Sequence, residues 1–507
     1  MNTIKFIKNN KFAIINILLI NCMFILPMTG LDYTSYVSHD ARWWLNQYYE
    51  FYHTIGHSNI VAFNGFNHTG LLINSTYPNI TLKLFELPLV LFHIINPYLV
   101  IGFLTILITN IYLYMFNALL SELNTPKSYR LSLSCLYVAI ISLTGKGIVN
   151  SIPQLISVIF IIMGAIAISS KNKDCLMAPA VAGLLMTSLT TSVIGLITFI
   201  IIFFIKPSMQ KFIRLFSAAL IGLLLVLPKL LTILHYISQV NLPYQQSMSF
   251  FPKSLFINNS HGFLYITVAT FILLVPLIIK PNNPRPSLIG WILLGYIIIS
   301  AFPQFASEMM SFIQKGTFQR MWVVISIISI YWITPTPTKS HKLLINIVTL
   351  LLIFTSVKTY VYYPISNAKP TALIKALKHK DWDTTYSIIN SNVKLIDKSG
   401  QYLIYSTISN TAKFSPDYTP KDAKSKELNI AFTPSNTLNT KYGVSKFADK
   451  PNELTIHVSP KSNQTPLGVW SYKFIKYHVS SSNGKVTTKN GMFYYYGTSS
   501  AKITIRT

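Results

Sequence analysis

Charge is scarce in this chain of 507 residues: 11% of them are charged and 51% hydrophobic, and the mean hydropathy is +0.44. Soluble proteins carry about 25% charged residues, so the shortage excludes a water-soluble globule and marks a polytopic membrane protein. Cysteine is nearly absent. Cys22, Cys135 and Cys175 fall in or beside apolar segments, which leaves exported parts no disulfide framework and fits a bacterium better than a secretory-pathway ectodomain. The sequons at Asn67, Asn74 and Asn79 then read as chance Asn/Thr richness. Zinc-ligand spacings, glycine-rich phosphate loops and aromatic-interleaved basic motifs are missing as well, which argues against those sites and against a nucleic-acid partner. The net charge of +27 therefore needs another explanation. Many of the lysines and arginines sit in short loops between apolar segments, the pattern of the positive-inside rule.

A small-residue cleavage site is missing after the apolar core of MNTIKFIKNNKFAIINILLINCMFILP, so the N-terminus reads as an uncleaved signal anchor. In LINC, at 19–22, Asn21 stands where a lipoprotein box needs a small residue, so lipidation of Cys22 is not expected. A span takes about 20 apolar residues. Eleven are predicted, at 12–29, 97–120, 131–145, 151–169, 176–189, 191–205, 214–234, 262–280, 287–304, 319–335 and 343–362. The stretch 176–205 also reads as one long helix, but a turn near Thr190 keeps every later loop on its side. Lys5, Lys8 and Lys11, then Lys127 and Arg130, Lys171 and Lys173, Lys206, Lys211 and Arg214, Lys280 and Arg285, and Lys339 and Lys342 fill alternate connections. Those connections and the N-terminus are assigned to the cytoplasm. Residues 30–96, 235–261, 305–318 and everything after about 363 fall outside.

The chain thus divides into a transmembrane domain, 1–369, whose first external loop is 30–96, and an extracellular β-rich domain, 370–507. In the tail, NELTIHVSP, WSYKFIKYHV and AKITIRT alternate in polarity and read as strands of a small sandwich or curved sheet, preceded by a helical KPTALIKALKHKDWDTTYSIIN. Its carboxylates Asp381, Asp383, Asp417 and Asp422 form no metal loop, and Trp470 and Tyr494 to Tyr496 read as strand packing or as a glycan-binding face.

One stretch of the first external loop stands out: SHDARWWLNQYYEFYHTIGHSNIVAFN, residues 38–64. Ser38 suits a helix N-cap, and His39, Trp43 and Gln47, or Asp40, Trp44 and Tyr48, recur at four-residue spacing, which predicts a helix at the outer membrane interface. The aromatics alone match an interfacial belt. Asp40 is an acid beside low-dielectric surroundings, where it needs a partner, such as Arg42 or a lysine, or a task.

The order of features resembles the first external loop of GT-C type glycosyltransferases: an anchor span, an acid just outside, an interfacial helix, an irregular loop ending in Tyr77-Pro78, then a short reentrant-like helix. In particular it resembles the bacterial YfhO-like membrane protein family, with Asp40, Asn74 and Tyr77-Pro78 at the matching positions. IQKGTFQRMW is similar to that family's Gln, aromatic and Arg stretch, at Gln314, Phe318 and Arg320, and SPDYTP at 415–420 is similar to the opening of its external β-domain. The chain departs from the pattern by placing Trp43 and Trp44 where many members have a His, and by lacking a paired acidic motif.

The resemblance implies a polytopic α-helical membrane protein of GT-C-like architecture, with a C-terminal extracellular β-rich domain, in a bacterial cell membrane. It implies transfer of a sugar from a polyprenyl-phosphate-linked donor to an extracellular glycan or teichoic acid acceptor. In that scheme Asp40 is the general base for the acceptor hydroxyl. His39, Arg42, Asn74, Tyr77, Lys315 and Arg320 contact substrate, the cations facing the departing lipid phosphate. Arg320, Lys229 and Lys358 also read as snorkelling at the outer interface. Glu308 is either a solvated loop charge or a second carboxylate. No cofactor is specified; a divalent metal stays open, with His39 beside Asp40 a thin ligand set. Two other readings compete. A flippase for a lipid-linked saccharide would show interrupted helices with midplane charges, which the predicted spans have few of. A non-catalytic envelope scaffold would bind polyanionic wall polymers through the lysines of its β-rich domain.

Overall fold

A computed structural model describes residues 2–25, 48–49, 51–52, 80–142, 152–187, 189–205, 207–239, 327, 339–361, 379, 420–424, 426–427, 430, 435–450, 453–473 and 475–506. Among the described residues, the first part of the chain holds α1 (Asn2–Ile25), α2 (Ile80–Leu91), α3 (Pro97–Glu122), α4 (Lys127–Ser142), α5 (Ile152–Ser169), α6 (Met177–Leu185), α7 (Leu189–Ile205), α8 (Met209–Gln239) and α9 (Lys339–Val361). Of the expected spans, those at 262–280, 287–304 and, apart from Ile327, 319–335 lie outside the described residues. The rest overlap helices over their described residues, with α1 described to Ile25 and α4 to Ser142, and α6 ending at Leu185, short of the expected 189. The stretch 176–205 is indeed two helices, α6 and α7. Helix α1 starts well before the expected span and bends at Asn10, whose φ of −121° and ψ of 15° are not helical. Among the described residues, two helices are long and apolar enough to cross a membrane, Leu99–Glu122 and Met209–Tyr236, and shorter apolar helices run over Leu155–Ser169, Asp174–Leu185, Thr191–Phe204 and Ile345–Phe354.

α1 lies against α4, α9 and α3; α3 against α4 and α5; α5 against α6 and α7; and α6 against α8. Where apolar surface offers little driving force, side-chain amides tie helices together: Asn16 Nδ2 donates to Asn346 O at 3.3 Å, and Asn110 Nδ2 to Asn21 Oδ1 at 2.8 Å. Such bonds contribute on the order of 0.6 kcal/mol each inside a membrane. α8 keeps Phe216, Leu220, Leu224, Leu225 and Leu231 exposed, an apolar stripe suited to hydrocarbon surroundings and costly in water.

One end of the helices holds a cluster of charges. Lys342 Nζ donates to Asn9 O at 2.7 Å and Asn10 Oδ1 at 3.2 Å, and stands 6.0 Å above the Tyr129 ring. Arg130 donates to Thr125 O and Ser121 Oγ, Lys173 pairs with Glu122 at 2.7 Å, and Asp174 receives both Lys211 and, at 3.1 Å, Arg214. All these residues come from connections that the charge pattern assigns to one side. The start of α3, the α6–α7 connection and the later part of α8 therefore belong to the other end.

Among the described residues, seven strands form two antiparallel sheets. β1 (Val444–Lys450), β2 (Glu453–Val458), β7 (Ala501–Arg506) and β4 (His478–Ser481) make one, in that order; β3 (Gln464–Trp470), β6 (Met492–Tyr496) and β5 (Lys485–Lys489) make the other. A short helix, α10 (Ser435–Tyr442), lies on β1 and β3. Alternation explains the first sheet: Leu454, Ile456 and Val458 on β2 and Ala501, Ile503 and Ile505 on β7 are buried, and the two strands pair from Glu453↔Arg506 to Val458↔Ala501. β3 slips register between Pro466 and Trp470, and Gly468 there takes a φ of 63°, a conformation that a side chain disfavours.

Two expectations meet these strands. NELTIHVSP and AKITIRT hold β2 and β7 as read. WSYKFIKYHV is not one strand: Trp470 closes β3, His478 opens β4, and residues 471–473 and 475–477 lie in neither sheet. The Tyr472 N–H donates to Tyr477 Oη at 3.2 Å and not to a strand partner. Trp470 and Tyr495 are 0% exposed, so these aromatics pack the strands. Asp422 pairs with Lys473 at 3.2 Å; Asp381, Asp383 and Asp417 lie outside the described residues.

Candidate functional site at the end of the first external loop

Helix α2 occupies the end of the helices opposite the charge cluster. Its sequence, ITLKLFELPLVL, buries Leu82, Leu89 and Val90 on one face and leaves Leu84 and Leu91 exposed. Both ends are tied down. At the start, Thr81 Oγ1 donates to Met186 O at 3.2 Å and bonds Thr187 Oγ1, in the α6–α7 connection. The other end closes as a Schellman motif: Ile94 N–H donates to Leu89 O at 2.9 Å, His93 N–H to Val90 O at 3.0 Å, and His93 adopts a φ of 55°. Glycine is the usual residue there, and a histidine in that region costs about 1 kcal/mol.

Tyrosines of the first external loop hold this turn. Tyr48 Oη donates to Ile94 O, Tyr49 Oη donates to Ile95 O at 2.9 Å, and Tyr52 Oη lies 3.2 Å from His93 Nδ1. Tyr48 and Tyr49 are fully buried, with their rings edge to face at 5.5 Å. Burial pushes the Tyr48 hydroxyl up, so it remains a donor at every physiological pH. Tyr48→Phe should strip that bond, leave the Ile94 carbonyl without it and cost about 1 to 2 kcal/mol. The check is limited proteolysis between residues 53 and 79, which should be faster in the variant.

Glu86 lies in the middle of α2. It is 1% exposed, and neither carboxylate oxygen has a hydrogen-bond partner among the described residues. Burial holds its carboxyl well above the ordinary carboxylate range, with the Lys83 charge pulling weakly the other way. Burial thus favours the uncharged form of this acid. Lys83, one turn earlier, sits 5.7 Å from the Phe51 ring centre. Lys229, read from the sequence as a snorkelling cation, lies on the later part of α8.

The residues expected to contact substrate are elsewhere in the chain. Asp40, His39, Arg42, Asn74, Tyr77, Glu308, Lys315 and Arg320 all lie outside the described residues. Among the described residues, no group of three or more His, Cys, Asp or Glu is placed to hold a metal ion. Glu86 was not singled out by sequence, although the signal was present: an acid whose helical neighbours at −4, +3 and +4 are Leu82, Leu89 and Val90.

No family model matches the chain, and no curated protein does. Among solved structures, it is similar to the single-particle cryo-EM structure of the arabinofuranosyltransferase AftD from Mycobacteria, with a TM-score of 0.50 and 9% sequence identity, over 73% of this chain and 29% of that one. The chain thus spans less than a third of the length of that neighbour. At such low identity the likeness is one of fold alone.

Proposed function

We propose that the chain is an integral-membrane glycosyltransferase that moves a sugar from a polyprenyl-phosphate donor to a polymer of the bacterial envelope. The observation that carries the reading is the likeness of fold to a solved arabinofuranosyltransferase over 73% of the chain. The tethered α2 supports it, because a first external loop latched by Tyr48 and Tyr49 gives the stretch upstream a fixed point of attachment. Asp40, eight residues before Tyr48, is the general base that takes the proton of the acceptor hydroxyl as it attacks the anomeric carbon. Arg320 and Lys315 face the leaving lipid phosphate. The sharing of one end by α1's start and the loops around 122–130, 170–174, 211–214 and 342 supports a cytoplasmic N-terminus, eleven spans and an external 370–507.

The test compares envelope glycans of cells with the wild-type chain, without it, and with Asp40→Asn. Loss of one sugar substituent in the deletion, and in Asp40→Asn at unchanged protein level, is the expected result. A drop of at least about 100-fold in transfer is the scale of a general base. Full decoration in the deletion strain would defeat the transferase reading; full decoration by Asp40→Asn alone would remove Asp40 from the role of base.

A further inference from the structure

Helical spacing puts Leu82, Glu86, Leu89 and Val90 on one face of α2, and all four are buried. α2 packs on α3 and α5, and neither supplies a counter-charge: residues 97–121 and 152–169 include no Lys, Arg, His, Asp or Glu. Tyr112 of α3 donates its hydroxyl to Leu155 O. The α6–α7 connection, which holds the start of α2 through Met186 and Thr187, is uncharged over 186–188. From the first external loop come Tyr48, Tyr49 and Tyr52, whose hydroxyls are engaged by Ile94 O, Ile95 O and His93 Nδ1. Lys83, on α2 itself, forms no ion pair with Glu86 among the described residues. Glu86 is 1% exposed and neither of its oxygens receives a hydrogen bond there. An ionised carboxylate in that place would be both desolvated and unpaired, a state proteins avoid by keeping the acid neutral or by moving it into water.

We propose that Glu86 is a proton-operated lock on the first external loop: the protonated acid lets α2 lie against α3 and α5, and loss of that proton drives α2 off them and opens the tyrosine-held turn. One O–H bond breaks in the step, and the proton passes to the water that the carboxylate meets as α2 moves out. The closed form therefore holds one more proton than the open form. Closure is favoured at low pH and weakens as pH rises above the ordinary carboxylate range, by at most about tenfold per pH unit for a single group. Burial of Leu82, Leu89 and Val90 and the ties at the two ends of α2 resist the opening. Residues 53–79 connect Tyr52 to the start of α2, so the closed form fixes both ends of that stretch and the open form releases them. The lock goes beyond the sugar-transfer reading and does not rest on it, because it concerns how the loop is held and not what the loop does.

The experiment follows chymotrypsin cleavage within residues 53–79 of the full-length protein in lipid nanodiscs, from about pH 6 to about pH 9, with the cut sites read by mass spectrometry. Each wild-type rate is divided by the rate of Glu86→Gln at the same pH, which cancels the protease's own pH dependence. Glu86→Gln keeps a neutral side chain of the same shape and should stay closed throughout. The ratio should lie within about twofold of one at the acid end and rise at least about tenfold by the alkaline end. Glu86→Met, a second neutral variant, should give the same ratio and stands in where the glutamine protein has a lowered thermal midpoint. A ratio that stays flat, or that falls as pH rises, overturns the proposal. Asp40→Asn should reproduce the wild-type cleavage profile while losing envelope decoration. A flat ratio alongside lost decoration would remove the lock and leave the transferase reading standing; a rising ratio alongside full decoration in the deletion strain would do the reverse.

Discussion

Gly222→Leu should uncouple α8 from α6 and lower the thermal midpoint of the detergent-solubilised protein more than any other single change considered in the helices. The reason is a backbone contact. A Cβ at Gly222 would stand 2.3 Å from the carbonyl oxygen of Ala178, a distance only relieved by moving a helix, since a carbonyl inside α6 cannot swing away. Small residues allow such close approach between membrane helices. Overpacking by a methylene or two costs roughly 1 to 3 kcal/mol, so alanine should fall in that range and leucine above about 3 kcal/mol. The damage should extend to the helix ends, because Lys211 and Arg214 at the start of α8 both pair with Asp174 just before α6. Gly195→Ala is the control: its new Cβ would meet the tip of the flexible Leu184 side chain at 2.7 Å, which can rotate. Heating followed by size exclusion gives the midpoints. An unchanged midpoint for Gly222→Leu would mean that α6 and α8 do not touch in this way.

A second large effect concerns the strands. The Lys446 ammonium, on β1, donates to Gly468 O on β3 at 2.7 Å, bridging from one sheet to the other. Burial lowers its pKa from 10.5 to about 7. Between those two values the unfolded chain holds one more proton than the folded one, so stability increases as pH rises from about 7 towards 10.5 and is at its lowest, and flat, below 7. The lysine stem stays half-exposed, and solvent screening there reduces the effect of a fully enclosed charge to about 2 to 3 kcal/mol across the window. Lys446→Met should remove the rise. Pulse proteolysis of the full-length chain in urea, at pH 7 and pH 10, reads the midpoint of the strand region. Wild-type and Lys446→Met chains with parallel pH dependence would show that Lys446 is charged throughout.

Sequence periodicity reached the helices because apolar runs leave few alternatives. α3 begins at Pro97 as expected and ends only two residues beyond the predicted 120, where Asn124, with a φ of 58°, provides the turn. Splitting 176–205 in two rested on loop charges alone; α6 ends at Leu185 and α7 starts at Leu189, so the break lies upstream of the expected turn near Thr190. β2 and β7 were equally legible from their period of two. WSYKFIKYHV misled because aromatic and lysine residues alternate there without a strand partner, and the Tyr472 to Tyr477 bond, a contact between near neighbours, leaves no mark in polarity. In the candidate site, attention to acids beside tryptophans pointed to Asp40, whereas Glu86 is embedded in aliphatic residues and reads as an interruption of a greasy helix. His93 was illegible for a different reason: its left-handed turn depends on tyrosines more than forty residues upstream.

The order of the first sheet, β1-β2-β7-β4, has a consequence for biogenesis. A chain delivered from N- to C-terminus releases β2 and β4 well before β7, the strand that must slot between them. Until residues 501–506 arrive, both neighbours present bare hydrogen-bonding edges, and the hairpin of β5 and β6 can already have formed alongside. Closure of this sheet is thus a late insertion event, and the interval before it is when a passing extended segment from another molecule could be captured in place of β7.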